Sequence, residues 1–192
     1  MKIERLLAKF DIKGINYEAL QGGKASLSLE EQLAIVGITW KESPVGFHLL
    51  FVEYLSDRES ARVLYQLTRV ETQKSMDRWR GVYAPKAIEA LCLTAMAEVI
   101  QQKGQICPEC NGSTKVTNRY RVTRKCQCCH EGRITWTSET RFALFSQTLP
   151  ITYSRFKRYQ PVLSLLVEWL TGHKVVAVLA LKSRVEMEEK EA

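Results

Sequence analysis

Residues 107–132 read CPECNGSTKVTNRYRVTRKCQCCHEG, and the rest of the chain is arranged around this stretch. Two Cys-x-x-Cys pairs, Cys107/Cys110 and Cys126/Cys129, are separated by 15 residues. That interval lies within the pattern of a four-thiolate zinc site. A two-residue gap lets both thiolates of a knuckle reach one ion, and the nearby Gly112 and Gly132 let the backbone turn tightly. Cys128 and His130 offer alternatives within the second knuckle. The Cys126/Cys129 choice is favoured because it repeats the spacing of the first pair. Four protein ligands close the coordination sphere, so the expectation is one structural Zn2+ with no open position for water.

Six cysteines without an N-terminal secretory pattern point to reduced, metal-binding thiols rather than disulfides. The N-terminus, MKIERLLAKFDIKG, lacks the apolar run of a signal peptide, and no run of about 20 apolar residues is seen. The expected location is therefore the cytoplasm, with no membrane partner. Cys92 stands apart in an apolar helical stretch and reads as a small core residue.

Charge is strongly localised. Between residues 103 and 160, eleven Lys/Arg face three acids, Glu109, Glu131 and Glu139, a net of +8 against +7 for the whole chain. A polyanion would meet this segment first.

Outside the cysteine stretch the chain reads as helices. Residues 2–10 suit a short amphipathic helix, 11–27 a connection, and Ser28 to Glu31 a capping box opening a helix to about Val36. Pro44 opens a helix over 45–55. A second box, Ser56 to Glu59, opens one to about Lys74 with Ala61, Leu64, Leu67 and Val70 buried. A helix from Pro85 to about Gln102 places Ile88, Leu91, Cys92, Ala95, Met96 and Val99 in a core and stops at Gly104. Beyond the cysteines, Ser138 is expected to cap a helix to about Thr148, and Thr152 another. Pro161 should kink or restart that helix and Gly172 should end it. Val175 to Glu189 then reads as a final helix, with VVAVLAL also compatible with a strand.

Two basic groups are candidate nucleic-acid contacts. Arg119, Arg121 and Arg124 lie between the knuckles, where residues 118–122 alternate as a short strand would. Downstream, Thr152, Tyr153, Ser154, Arg155, Lys157 and Arg158 combine cations and hydroxyls at a helix start. Such residues serve phosphates and guanine edges. The helices at 139–148 and 152–159, with the Leu-Pro-Ile turn between them, suggest a helix-turn-helix. Three dispersed histidines (48, 130 and 173), and no P-loop, nucleophile elbow or His-Glu-x-x-His pattern, argue against an enzyme.

The order of an Ala/Leu-rich helix, CPEC-NG, a basic loop, a second knuckle, a helix, a Leu-Pro break and Thr152-Tyr-Ser-Arg155 resembles the late-gene antitermination Q proteins of lambdoid bacteriophages. The resemblance covers roughly residues 80–175. It implies a mainly α fold: a helical bundle whose helix-turn-helix is interrupted by a four-cysteine zinc knuckle insertion. It also implies a factor that binds double-stranded DNA at a late promoter and engages paused RNA polymerase and its sigma factor in the bacterial host cytoplasm. That factor then lets the elongating enzyme pass terminators. Carried over, Cys107, Cys110, Cys126 and Cys129 match the ligands and the Arg155 segment the DNA-reading helix. The implied division is a polymerase-interacting region 1–80, a DNA-binding domain 81–175 and a C-terminal helix and tail 176–192. The second knuckle, CQCCHEG, departs from the pattern by an extra cysteine and a displaced glycine. A DnaJ-like protein-interaction module is the competing class, although such modules carry four knuckles where this chain has two.

Overall fold

The computed structural model describes residues 35–37, 40–77, 79 and 85–191, and it is mainly helical. The helix expected at 2–10, the connection at 11–27 and the capping box at Ser28 lie outside the described residues. The elements are α1 (Pro44–Leu55), α2 (Arg58–Met76), α3 (Pro85–Ile100), β1 (Gln105–Ile106), β2 (Lys115–Thr117), β3 (Thr123–Lys125), β4 (Arg133–Ile134), α4 (Ser138–Thr148) and α5 (Tyr153–Glu191). They form two compact units, one from residues up to Leu67 together with Glu168 onward, the other from Thr68 to Val167. The region expected as a DNA-binding domain overlaps the second unit over residues 81–167.

In the first unit, α1 starts on Pro44, whose missing N–H costs nothing at the first helical position. Its Phe47 and Leu50 are buried with Ile35 and Val36 against Ala177, Leu181 and Val185 of α5. Gly46 permits that contact: a Cβ there would lie 2.1 Å from the His173 carbonyl oxygen and 2.7 Å from the Ala177 Cβ. Ser43 Oγ donates to the same His173 carbonyl at 3.2 Å. Beside it, Lys174 and Glu53 pair at 2.6 Å with the lysine side chain only 9% exposed.

The second capping box is not made by Ser56. Ser56 instead ends α1 in the left-handed region (φ 54), and Asp57 caps α2 by accepting from Ser60 N at 2.8 Å. Hydrogen bonding to the Ser60 side chain, then to its backbone N–H, holds the Asp57 carboxyl below its ordinary pKa. Glu59 pairs with Arg62 instead. The buried ridge of α2 is Ser60, Leu64, Thr68, Thr72 and Met76, at intervals of four residues, and Val70 is exposed. The threonines face inward because Thr72 Oγ1 donates to the Thr68 carbonyl at 2.7 Å and meets Cys92 Sγ at 3.2 Å.

Helix α3 is the axis of the second unit. All six residues expected in its core are buried, joined by Ala87, Ala90, Thr94 and Glu98. Helix α4 is capped by Thr137, not Ser138: Thr137 Oγ1 accepts from Thr140 N, and Thr140 Oγ1 accepts from Thr137 N. Ser138 accepts instead from Gln160 Nε2 at 2.7 Å. Phe142 and Phe145 of α4 pack on Tyr153, Phe156 and Tyr159 of α5, with ring centroids 5.2–5.5 Å apart. Trp79 stacks on the same Tyr159 at 5.0 Å.

Neither Pro161 nor Gly172 ends the last helix. Helix α5 runs through both, and VVAVLAL is helical. Pro161 removes one N–H from the ladder, but its ring lies on the exposed side while Phe156, Tyr159, Val162 and Leu163 are buried around it. Packing of both turns outweighs one missing bond. Continuity joins two apolar runs that the expected break kept apart. Among the described residues, α5 is thereby the one helix long and apolar enough to cross a membrane by length and composition, with a third of its most apolar window buried in the protein.

Candidate metal centre and basic surfaces

The cysteine segment is a loop between α3 and α4, closed at its base by antiparallel pairing of β1 with β4 (Gln105 opposite Ile134, Ile106 opposite Arg133). Side chains reinforce that closure. Arg133 Nη1 donates to the Gly104 carbonyl at 2.9 Å, and Trp136 Nε1 to the Gln101 carbonyl at 2.8 Å, satisfying an acceptor at the end of α3. On the helices themselves Arg141 makes a two-pronged contact with Glu98, its Nε 2.7 Å from Oε2 and its Nη2 on Oε1. The helices before and after the insertion are thus locked directly to each other.

Within the loop the two knuckles are cross-tied. Cys107 N donates to the Gly132 carbonyl (2.9 Å), and Cys126 N to the Thr114 carbonyl (2.8 Å). Each knuckle is followed by two consecutive residues of positive φ: Asn111 and Gly112 (48° and 83°), then Glu131 and Gly132 (50° and 80°). Such pairs belong to tight turns that take glycine second. The glycine of the second knuckle is displaced by one residue because His130 and Arg133 pair backbone to backbone around it. A Cβ on Gly132 would lie 2.3 Å from the Gly112 carbonyl oxygen, so the two turns abut where no side chain fits.

This framework brings Cys107, Cys110, Cys126 and Cys129 together, with all four Sγ atoms within 4.8 Å of one another, as a group that can hold a metal ion. Cys107 and Cys126 Sγ are 3.9 Å apart, Cys110 and Cys129 Sγ 3.5 Å. Four sulfurs at about 2.3 Å from one tetrahedral ion are separated by roughly 3.8 Å, so the donor set fits. Cys128 is exposed and outside the group, and His130 is exposed beside it, which resolves the choice the spacing left open. Val116 and Ile134 cover the cluster.

The thiols do not ionise alike. Desolvation raises Cys110, but hydrogen bonds from Cys129, the Thr114 backbone and Cys107 outweigh it and bring its pKa down to about 7. Desolvation, then hydrogen bonding to Cys110, pushes Cys129 up to about 12. Without a cation, then, a thiol of this crowded group resists ionisation well above neutral pH. A bound metal supplies the positive charge that removes the remaining protons. Cys92 is a separate buried thiol, raised to about 11 chiefly by desolvation.

The two basic groups fall on different frameworks. At the start of α5, Thr152 just before the helix and Ser154, Arg155, Lys157 and Arg158 within it are exposed, while Phe156 and Tyr159 are buried. Tyr153 is half-buried against Phe142, and Lys157 Nζ lies 5.3 Å from its ring centre. Residues 118–122 are not a strand but the tip of the β2–β3 hairpin, whose strands are 115–117 and 123–125. Asn118 Oδ1 bends this tip by accepting from Tyr120 N and Val122 N at 2.9 and 3.0 Å, and Arg121 is left-handed (φ 60). Arg119, Arg121 and Arg124 are all exposed, the first two on the turn and the third on β3.

Lys115 and Lys125, legible in the sequence as cations of the loop between the knuckles, stand directly opposite each other. Their symmetric placement about the Asn118 turn is the signal that identifies the pairing once the turn is recognised. The Glu98–Arg141 pair had no sequence signal, since its partners are brought together only by closure of the insertion. No family model and no curated protein matches this chain.

Proposed function

We propose that this chain is a DNA-binding transcription antitermination factor of the phage Q type, with one structural Zn2+ held by Cys107, Cys110, Cys126 and Cys129. The observation that carries the reading is the first turn and a half of α5. Thr152, Ser154, Arg155, Lys157 and Arg158 are presented to solvent on a helix anchored from beneath by Phe156 and Tyr159. A helix N-terminus carrying exposed cations and hydroxyls, preceded by a packed helix and a four-residue turn (149–152), suits a recognition helix in a major groove. Arg119, Arg121 and Arg124 then supply phosphate contacts.

The zinc would act structurally. Four thiolates complete its coordination and set the path of the chain between α3 and α4. Nothing in this role is catalytic. Double-stranded late-promoter DNA, host RNA polymerase and sigma factor are the partners that the sequence resemblance supports, in the bacterial cytoplasm. A DnaJ-like interaction module remains the competing class.

The test is run-off transcription on a terminated template carrying the late promoter of the phage that encodes the chain. Read-through that needs both protein and promoter is expected, and Arg155→Ala should abolish it along with the specific DNA complex. Promoter-independent read-through, or none, counts against the assignment, as does a DNA complex insensitive to salt.

A further inference from the structure

The β2–β3 hairpin carries more than scattered phosphate contacts require. Residues 110–130 contain five cations and no carboxylate. Among the described residues, the ion pairs of the chain all lie elsewhere. Lys115 and Lys125 are directly opposed across the ribbon, a like-charge pairing that destabilises a two-stranded sheet. Thr117 and Thr123, the next pair on the same face, share a 3.0 Å hydroxyl contact. The opposite face carries Val116, which packs on the cysteine cluster, and so turns the lysine face away from it.

The tip adds an aromatic ring. Tyr120 is 69% exposed, the most exposed large apolar side chain among the described residues. The Arg119 guanidinium lies 4.7 Å from its ring centre. The Asn118 cap holds the turn that presents both groups, so the platform is preorganised. Compensation of thiolate charge accounts for cations near a metal site; it gives no reason to hold a tyrosine in water.

From this arrangement, and resting on the nucleic-acid reading above, we infer that the hairpin tip stacks on an unpaired nucleobase. Tyr120 and Arg119 form the stacking surface, and Lys115 and Lys125 take the flanking phosphates. A closed duplex offers grooves and phosphates but no free base face, whereas a single-stranded segment offers one at every nucleotide. The tip therefore fits opened DNA or single-stranded nucleic acid, and α5 fits the duplex.

The experiment compares the metal-loaded full chain on three fluorescent probes by anisotropy at one salt concentration. The probes are a single-stranded 12-mer, its duplex, and a duplex carrying a three-nucleotide bubble. Tyr120→Ala is expected to weaken binding to the single strand and the bubble by roughly 5- to 150-fold, the range for base–aromatic stacking, with duplex binding within about twofold. Tyr120→Phe should retain wild-type affinity, and both variants should keep wild-type metal content because the side chain is exposed. Unchanged single-strand binding in Tyr120→Ala, or equal losses on strand and duplex, overturns the inference. Duplex binding that still depends on Arg155 would then leave the DNA-binding reading standing. Wild-type protein that binds none of the probes overturns both.

Discussion

The cysteine insertion and the helices that carry it hold their shapes by different means. Around α3, ten buried residues and the α4–α5 ring cluster exclude water in the usual way. In the insertion only the cysteines, Val116 and Ile134 gather at a centre, while both strands of the β2–β3 ribbon are largely exposed. Two strand pairs of two and three residues do not make an independently stable sheet. The lesson is a division of labour. Burial orders the helices, whereas the loop gathers on four thiols that can hold a metal ion, so the loop's surface is left available for charge.

The largest effect expected from that contrast is on metal removal. Structural zinc in small fingers contributes about 10–16 kcal/mol, so chelation or Cys107→Ser should abolish amide protection across residues 105–134. Most of the helical circular dichroism should survive. Hydrogen exchange with metal analysis decides it, and loss of helix in parallel with the metal would show that the two regions are one cooperative system.

The converse perturbation is Phe145→Ala, which empties the buried ring cluster between α4 and α5. A loss of about 3–5 kcal/mol is expected in denaturant unfolding of the helices. Metal stoichiometry in the native protein should not change, since no ligand touches this cluster.

Between the two regions stands the Glu98–Arg141 contact, which joins the helices flanking the insertion. The glutamate side chain is 11% and the arginine 27% exposed, so solvent screens the pair in part. Arg141→Met should cost about 1–3 kcal/mol by leaving Glu98 without its partner, less than a fully buried pair would. Replacing both residues by apolar ones should restore much of the stability, and a double-mutant cycle measures the coupling. Additive single losses would mean that the contact contributes little to fixing α3 on α4.

The smallest effect belongs to the boundary itself. Thr137→Ala removes the Thr137 Oγ1 half of the capping box that starts α4 directly after the insertion, leaving the Thr137 N–H to Thr140 Oγ1 bond, at a cost of about 1 kcal/mol. A shift in thermal midpoint larger than that of Ser138→Ala, which leaves the cap and loses only the Gln160 contact, would confirm which residue makes the cap.

What the sequence makes legible follows the range of each interaction. The α3 core face, the α1 start at Pro44 and the four clustered cysteines were all legible, because each depends on spacing along a single element or repeated motif. The caps at Asp57 and Thr137 were missed by one residue, since several adjacent hydroxyl or carboxylate residues can cap and neighbouring contacts select among them. Residues 118–122 were misread as a strand because alternation of Arg, Tyr, Arg and Val imitates the period of two, whereas Asn118 bends the backbone there.

By itself, then, the sequence determined which residues are hydrophobic along each helix, where the thiolates occur and where the positive charge accumulates, all local properties of composition and period. Only the tertiary structure decided that Cys129 rather than Cys128 joins the cluster, that α5 continues through Pro161, and that Lys115 faces Lys125. Each of those outcomes depends on partners that are not neighbours in the chain, whose packing and pairing outweigh the local preference.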